Sequence, residues 1–477
     1  MYKLTSKHKE FFSFVLDAIM ANPFSLDRDI AEKNILGMTP RRNDISEIMK
    51  KVDLALKSLE KNGKISISSY PKEEQRLIKG GLLFNLFHQF MDDFDKFISK
   101  QYQTSQSEIF PQGKEIYNLL INYGLLHEES IKMIGLFYQL RRTHYLVNRN
   151  IVGQSDSMTK LRCQLWSNIF THKLNWYLDY LFEKMEDFST LLLGETGVGK
   201  TSVARIVGCS GYIPFDLNEG KFKESFINIF SSVNLSQFPP GLIEGELFGY
   251  SKGSFTGAVK DYQGIFERAN RFGAVFIDEL GDVSSSLQVK LLNVLQERAF
   301  TSVGNSEIKR FSGRVIAATN QNIHDLVAKK VFREDLYYRL CSDIIVIPPL
   351  RTRIKENEDE LFLILSNLMR KVVPHVDDQL IQMTHEVIKK NVGEDYSWPG
   401  NIRELEQCVR SICLSGKYQA WKSHKKDLDH IFEQEISAKS LLHNYTHHLY
   451  KKYGSYEKIS KILQVDPRTV KSYMDEN

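Results

Sequence analysis

A glycine-rich octapeptide is the strongest chemical signal in this 477-residue sequence. The apolar run Leu191–Leu193 leads into Gly194, Glu195, Thr196, Gly197, Val198, Gly199, Lys200 and Thr201. This is P-loop spacing, in which glycines let backbone N–H groups surround phosphate oxygens at a helix N-terminus, here that of Ser202–Val207. Lys200 would reach the β- and γ-phosphates, and the Thr201 hydroxyl would ligate Mg²⁺. The octapeptide therefore predicts a nucleotide site.

Two acids follow a second apolar run. Asp278 and Glu279 come directly after Gly273–Ile277, and the carboxyl ends of strands are where an open α/β sheet presents its ligands. Asp278 can hold Mg²⁺ through water, and Glu279 can orient or deprotonate an attacking water. Either motif alone has an ordinary explanation, such as solvated acids at a strand end. Together and in this order they predict hydrolysis of ATP or GTP.

Three further polar side chains have spacing suited to a phosphate. Asn320 ends another apolar run, where its amide could sense a γ-phosphate from the adjacent strand. Arg333 and Arg339 lie six residues apart, and an arginine directed at a γ-phosphate supplies the charge that phosphoryl transfer requires. From the residues alone, ion pairs with Glu334 and Asp335 are the simpler interpretation of the two arginines.

Short apolar runs that alternate with helical patterns must position these side chains. The candidate strands are Thr190–Leu193, Phe226–Phe230, Ala274–Ile277, Arg314–Ala318 and Asp343–Ile347. This alternation predicts an α/β domain with a mostly parallel sheet. The chain before it reads as mainly helical. In that part Leu82–Ile98 has an apolar stripe at three- and four-residue spacing, which predicts one helix.

Composition excludes some classes of protein. The 63 basic and 59 acidic residues leave a formal net charge of +4, which argues against a histone-like binder but not against a DNA-binding module. Five scattered cysteines fit a reducing compartment. No stretch approaches the roughly 18 apolar residues of a membrane span, so we expect a cytoplasmic protein without a membrane partner.

A second group of motifs carries a family resemblance. Glu246–Tyr250 followed by Gly253–Ala258 resembles the signature loop of the sigma-54-dependent bacterial enhancer-binding proteins, which are AAA+ ATPases that activate transcription. The resemblance spans roughly residues 151–415. It includes Gly264–Glu267, Gln288–Glu297, Phe332–Leu340, Pro348–Arg351 and Trp398–Leu405.

The resemblance implies a fold, cofactors and roles for particular residues. It implies a P-loop parallel sheet with a helical lid, and a homo-oligomeric ring, usually a hexamer, that binds ATP with Mg²⁺ between subunits. Arg333 and Arg339 resemble the arginine fingers that act on the neighbouring subunit, which reverses the ion-pair interpretation. Arg403 resembles a second sensor in the lid. Asn234 resembles the asparagine that restrains the catalytic glutamate, here Glu279.

The signature loop would contact sigma-54 and drive its RNA polymerase holoenzyme from the closed to the open promoter complex. Its residues are Gly253, Ser254, Phe255, Thr256, Gly257 and Ala258. Ser254 replaces the alanine that the family generally has, which is a change between two small residues. Gly253 and Gly257 permit a sharp excursion, and an exposed Phe255 is unfavourable unless it binds something. A loop folded back with Phe255 buried is the alternative.

The last residues predict a helix-turn-helix. Helical patterns cover Tyr456–Leu463 and Pro467–Met474, with Asp466 as N-cap of the second. Ile459, Ile462, Leu463, Val465 and Val470 would form the inner face. The residues left to face DNA are Arg468, Thr469, Lys471 and Ser472. A helical hairpin without a DNA role is the alternative, but the resemblance implies a Fis-type domain that binds upstream enhancer DNA.

Three domains are therefore expected in a multidomain α and α/β fold. They are a mainly helical regulatory or sensor domain (1–150), the AAA+ domain (151–416, with its lid from about 350), and a linker with the helix-turn-helix (417–477). A phosphoacceptor receiver is disfavoured, because Asp53 and Asp92 lie in helical patterns. The leading hypothesis is an ATP-hydrolysing activator that remodels sigma-54 polymerase. The alternative is a DNA-binding regulator whose ATPase only controls assembly.

Overall fold

The predicted α/β alternation forms one parallel sheet in the computed structural model, which describes residues 2–37, 45–60, 65–393, 396–420 and 438–475. Its five strands lie in the order β4-β5-β8-β1-β9. In chain order, the strands are β1 (Thr190–Leu193), β2 (Phe215–Asp216), β3 (Lys221–Phe222), β4 (Phe230–Asn234), β5 (Ala274–Asp278), β6 (Ala299–Thr301), β7 (Ile308–Arg310), β8 (Arg314–Thr319) and β9 (Asp343–Val346). The pairs β2–β3 and β6–β7 form two small antiparallel sheets.

One predicted strand, Phe226–Phe230, is wrong in its position. Residues 226–229 form a turn, and the strand β4 begins only at Phe230. Phe226 and Ile229 are fully buried although they lie in this turn, so their apolar character reflects packing of the turn against the core. The strand itself is more polar, because β4 lies at the edge of the sheet and meets a partner only at β5.

The described part of residues 1–150 contains seven α-helices, as its mainly helical pattern predicts. They are α1 (Ser6–Met20), α2 (Leu26–Leu36), α3 (Ile45–Lys57), α4 (Lys72–Gln89), α5 (Met91–Thr104), α6 (Gln112–Asn122) and α7 (His127–Asn150). The single helix predicted over Leu82–Ile98 is wrong, since α4 ends and α5 begins at Phe90. Two acids in the first turn of α5, Asp92 and Asp93, stabilise a new helix start, which the apolar stripe did not reveal.

The N-terminal helices share a hydrophobic core with one face of the sheet. The core runs from Phe94 and Tyr138 in the helices to Phe276 in β5. Helix α8 (Asp156–Phe170) and a helical segment, α9 (Leu174–Trp176) with the π-helical turn Tyr177–Leu181, join the same core. Residues Met1–Gly416 form one compact unit. The division at residue 150 stays a prediction.

Two partly buried histidines in this core predict that the fold weakens in mild acid. Burial lowers the pKa of both His88 and His144 to about 4, and the nearby Arg28 and Arg141 act in the same direction. The unfolded chain takes up these protons near pH 6.5, so stability falls as the pH drops from about 6.5 to about 4. We expect a loss of about 1–2 kcal/mol per histidine. Urea unfolding at about pH 7 and about pH 5 measures it.

The variant His144→Phe should show a smaller pH dependence than the wild type, because it removes one of the two protonation sites. The exposed His172 provides the matched control, and His172→Gln should retain the wild-type pH dependence. Equal pH dependence in His144→Phe and the wild type would contradict the assignment.

Of the described α-helices from the P-loop to Gly416, the first packs into the core shared with the N-terminal helices, the next five cover the other sheet face, and the last four build the lid. They are α10 (Lys200–Gly208), α11 (Pro240–Phe248), α12 (Ile265–Arg268), α13 (Ser285–Glu297), α14 (Ile323–Ala328), α15 (Glu334–Leu340), α16 (Leu350–Glu356), α17 (Glu360–Val372), α18 (Asp378–Val392) and α19 (Asn401–Ser415). The last four form the predicted helical lid. In the described ranges, no helix is long and apolar enough to span a bilayer.

The second unit, Lys417–Asn477, contains a three-helix cluster. Its helices are α20 (Ala438–Tyr453), α21 (Tyr456–Leu463) and α22 (Pro467–Asp475), and Leu449, Ile459 and Val470 form its buried centre. Asp466 Oδ1 accepts a hydrogen bond from Arg468 N at 2.8 Å, which confirms the predicted cap. The predicted inner position of Ile462 is wrong, since its residue is 45% exposed. It lies roughly 60° around the helix from Ile459, beyond so small a core.

Candidate functional site

The P-loop connects β1 to α10, as the octapeptide predicts. Gly197 and Gly199 have φ angles of 80° and 104°, in the left-handed region that favours glycine. The Lys200 ammonium donates to the carbonyl oxygens of Gly194 (2.8 Å) and Glu195 (3.1 Å) within the loop. Burial lowers the pKa of Lys200, while the charges of Glu279 and Asp278 act in the opposite direction. The loop therefore holds a buried cation on carbonyl oxygens that a phosphate can replace.

The two predicted acids lie beside this cation. Asp278 ends β5, and Glu279 follows it with a φ of 58°. Burial raises the pKa of both carboxyls; the charge of Asp278 raises that of Glu279 further, and Lys200 opposes both shifts. A raised pKa makes Glu279 a better proton acceptor than an ordinary carboxylate. The pair thus combines an oxygen ligand with a candidate base.

One cavity of about 480 Å³ brings most of the predicted nucleotide residues together. The predicted nucleotide-site residues that line it are Thr196, Gly197, Val198, Gly199, Lys200, Thr201, Asn234, Asp278, Glu279 and Arg403. Its apolar lining includes Ile151, Val152, Met158, Leu161, Ile347, Ile364 and Leu368. The cavity therefore has one end suited to phosphates and another suited to a flat apolar ring system.

Two asparagines lie at the carboxyl ends of the two strands that flank β5. Asn320, directly after β8, donates through Nδ2 to Thr196 Oγ1 at 3.1 Å, so it contacts the P-loop itself. Asn234 ends β4 opposite Asp278, and its Oδ1 accepts from the backbone N (3.0 Å) and the hydroxyl (2.7 Å) of Ser236. The sheet order brings these side chains to the edge that presents the P-loop.

The lid contacts the P-loop through residues that the motifs did not identify. Asn401 is fully buried, and its Nδ2 donates to Glu195 Oε2 and to Thr196 O, both at 3.1 Å. Ile402 N donates to Gly197 O at 3.1 Å. Arg351 forms a two-pronged ion pair with Glu195. Asn401 and Arg351 lie within the motifs Trp398–Leu405 and Pro348–Arg351, but a local motif carries no signal for a partner over 150 residues away.

The two predicted arginine fingers lie elsewhere. Arg333 forms an ion pair with Asp335, with Nη2–Oδ2 at 2.6 Å. Arg339 donates through Nε and Nη2 to the carbonyl oxygen of Leu295 at 3.0 and 2.8 Å. The described residues that line the cavity do not include either arginine. The ion-pair interpretation thus holds for Arg333 within one subunit, and action on a neighbouring subunit stays a prediction.

The signature loop is closed at its base and exposed at its tip. Gly253 N donates to Ala258 O at 2.8 Å, and Gly253 and Gly257 have φ angles of 83° and 104°. Phe255 is 38% exposed, with its ring at 4.9 Å from that of Tyr250 in an edge-on contact. Thr256 is exposed as well. The tip can therefore meet a partner, while Phe255 keeps one edge on Tyr250.

Two residues of the signature loop, Ser254 and Ala258, pack against the rest of the domain. Ala258 is buried. Ser254 is half-buried, and its Cβ lies so close to Gly304 that a Cβ there would approach it to 2.5 Å. Ser251 N also donates to Val303 O at 3.0 Å, which anchors the loop on the β6–β7 connection.

In the second unit, the candidate DNA residues lie on α22. Arg468, Lys471 and Ser472 are exposed, and Thr469 is half-buried. The buried Val470 faces the cluster instead. The exposed face of α22 thus presents two cations and a hydroxyl.

The central part of the chain is similar to known proteins. Residues 181–345 match the family model of the sigma-54 interaction domain. The chain is 36% identical over 295 residues to a signal-transduction and transcriptional-control protein of Clostridium beijerinckii, which covers 59% of this chain and 41% of that protein. It is 36% identical over 267 residues to the Nif-specific regulatory protein of Klebsiella pneumoniae (56% and 44% covered). NtrX from Brucella abortus aligns at a TM-score of 0.41 and 18% identity, over 76% of this chain and 79% of that chain.

The chain spans less than half the length of the two curated relatives that it matches. The region matched by the family model contains the P-loop, the signature loop and the acids Asp278 and Glu279, whereas Arg403 lies beyond it. The chain therefore contains a sigma-54 interaction domain, and around it the chain is similar to regulatory proteins of Clostridium beijerinckii and Klebsiella pneumoniae.

Proposed function

We propose that this protein is an ATP-hydrolysing, DNA-binding transcriptional activator that remodels sigma-54 RNA polymerase holoenzyme from the closed to the open promoter complex. One observation carries the proposal: a single cavity joins the P-loop, Asp278, Glu279 and the lid residue Arg403, in a domain that also exposes Phe255 and Thr256. Hydrolysis and a partner-facing loop therefore belong to the same folded unit.

The cavity favours a nucleoside triphosphate in one orientation. Phosphates at the P-loop would draw Lys200 from the carbonyl oxygens of Gly194 and Glu195, while the base would contact the apolar end. The Thr201 hydroxyl and the Asp278 carboxylate line the same cavity, and such oxygen ligands suit Mg²⁺. When bound, Mg²⁺ would neutralise charge on the phosphates.

Hydrolysis would use residues at the ends of three sheet strands and from a neighbouring subunit. Glu279 would accept a proton from the attacking water, and Asn320 would respond to the γ-phosphate through its contact with Thr196. Asn234, at the adjacent strand end, would restrain Glu279. Arg333 and Arg339 would reach the cavity of the next copy in a homo-oligomeric, hexameric ring. Their position outside the cavity of their own subunit fits this role.

The remaining contacts would be made by the signature loop and α22. Phe255 and Thr256 would engage sigma-54, with Gly253, Ser254, Gly257 and Ala258 shaping the loop. The residues Arg468, Thr469, Lys471 and Ser472 would contact upstream enhancer DNA, its phosphates by charge and its base edges by hydrogen bonds.

Transcription in vitro from a sigma-54 promoter tests this function. We expect Thr256→Ala to lose most open-complex formation, by about 10-fold or more, while ATPase activity stays within about twofold, because Thr256 lies on an exposed tip far along the chain from the P-loop. The exposed neighbour Val259 supplies the control, and Val259→Ala should retain both activities.

The same assay separates the alternative function. A regulator whose ATPase only controls assembly would bind its DNA and hydrolyse ATP, but the wild type would form no open complex with sigma-54 polymerase. That result, with the cognate DNA supplied, would refute the proposed function.

A further inference from the structure

Helix α7 lies directly behind the P-loop helix α10. Three residues on one face of α7, Gly135, Gln139 and Arg142, contact the segment that follows α10. Gln139 Nε2 donates to Ser210 O at 2.9 Å, and Arg142 Nη2 donates to Gly211 O. At Gly135 a Cβ would lie 2.6 Å from the ring of Tyr212, so only glycine allows this approach. The end of α10 is therefore held by the N-terminal helices.

Arg142 is an unusual residue to find in a core. It is fully buried, and an ion pair with it is not found in the part of the chain that the structure describes. The guanidinium lies instead over the rings of Tyr138 (4.3 Å) and Phe226 (5.8 Å). A buried cation without a carboxylate is costly. The carbonyl-rich end of α10 also attracts it, because the C-terminus of a helix is its negative end.

The opposite end of α10 forms part of the nucleotide cavity. The helix has only nine residues and is about 13 Å long, so we expect it to rotate as one rigid body. Lys200 and Thr201 form its first turn, and any rotation at the end near Gly211 would displace their phosphate-binding groups. Helix α7 also reaches the cavity directly, since its last residue, Asn150, and the next, Ile151, line it.

We infer that Arg142, together with Gln139, is a positioning residue through which the N-terminal helices set the nucleotide affinity of the P-loop. The inference rests on the proposed ATPase function and adds its regulation. A signal that displaces α7 in the N-terminal region would be transmitted by rigid contact to α10 and from there to the phosphates. The helices before residue 150 then support the nucleotide site structurally, in addition to their proposed role as a sensor domain.

The full-length protein tests this with neighbouring arginines. Arg142→Gln should raise the Kd for a fluorescent ATP analogue, and the KM for ATP, by about 3- to 30-fold, with a smaller change in kcat. Arg142→Lys should recover part of the loss, because it restores a cation at the end of α10. Arg141 is the matched control: it pairs with Asp95 inside the N-terminal region, and Arg141→Gln should keep the wild-type Kd within about twofold.

A second pair of variants covers the case in which Arg142→Gln fails to fold. Gln139→Met removes the hydrogen bond to Ser210 O and should also raise the Kd. The control Gln112→Met removes a glutamine hydrogen bond to Asp93 Oδ1 (3.2 Å) inside the N-terminal region and should leave the Kd unchanged.

The outcomes separate this inference from the proposed function. Unchanged Kd values in Arg142→Gln and Gln139→Met, or equal increases in their controls, would overturn the positioning role alone. A wild-type protein that does not bind ATP would overturn both.

Discussion

Replacement of Glu279 by glutamine is expected to lower kcat for ATP hydrolysis by about 10²- to 10⁴-fold while ATP binding persists. The amide keeps the size and hydrogen-bonding reach of the carboxylate but cannot accept a proton. Binding persists because the P-loop, Lys200 and the apolar end of the cavity are unchanged. Steady-state phosphate release measures kcat, and binding of a fluorescent ATP analogue measures affinity.

Asp282 is the matched control for this experiment. It lies three residues after Glu279 and accepts a hydrogen bond from Gln321 Nε2 at 2.5 Å, outside the lining of the cavity. Asp282→Asn removes the same charge and should keep kcat within about threefold. If both variants lost hydrolysis equally, Glu279 would not be the base.

The second large effect concerns stability: Glu360→Gln is expected to lower the free energy of unfolding by about 3–5 kcal/mol. Glu360 is fully buried, and its Oε1 receives the Arg353 guanidinium at 2.8 Å. Its Oε2 accepts from the backbone N of Gln154 (2.7 Å) and Ser155 (3.2 Å), and Arg353 Nη2 donates to Val152 O at 2.6 Å. Neutralising one partner leaves the other as an uncompensated buried charge.

Urea unfolding followed by tryptophan fluorescence measures this loss as a shift of the midpoint. Glu356, one helix earlier and exposed, accepts a hydrogen bond from Ser157 N at 2.8 Å, and Glu356→Gln should change stability by less than about 0.5 kcal/mol. A Glu360→Gln midpoint equal to that of the wild type would contradict a stabilising pair.

The same pair brings the lid to the cavity that we propose binds nucleotide. Val152 and Arg353 both line the cavity, and a Cβ at Gly153 would lie 2.0 Å from Glu360 Oε1, so the chain approaches the lid closely at this glycine. The segment that leads from α7 into α8 is therefore clamped by the lid at the apolar end of the cavity. Weakening this clamp should weaken ATP binding as well as the fold.

The chemistry of the candidate nucleotide site could be predicted from contiguous motifs in the sequence. The P-loop octapeptide and the pair Asp278 and Glu279 are contiguous motifs, whose chemistry depends on residue type and on a neighbouring strand or helix. Four of the five strands were also predicted at or within one residue of their bounds, because short apolar runs between helical patterns indicate strands. The exposed tip of the signature loop followed in the same way from its two glycines.

The contacts between these motifs and distant segments of the chain could be identified only in the folded structure. Asn401 on Glu195, Glu360 on the segment after α7, and Arg142 on the end of α10 are contacts between residues far apart in the chain, and a local pattern does not encode such a partner. Packing also overrode local patterns at Phe226 and Phe90, where burial in a turn or at a helix junction looks the same in sequence as burial in a strand or helix. The candidate nucleotide site can thus be predicted from its motifs, whereas its contacts with the lid and the N-terminal helices become apparent only in the folded chain.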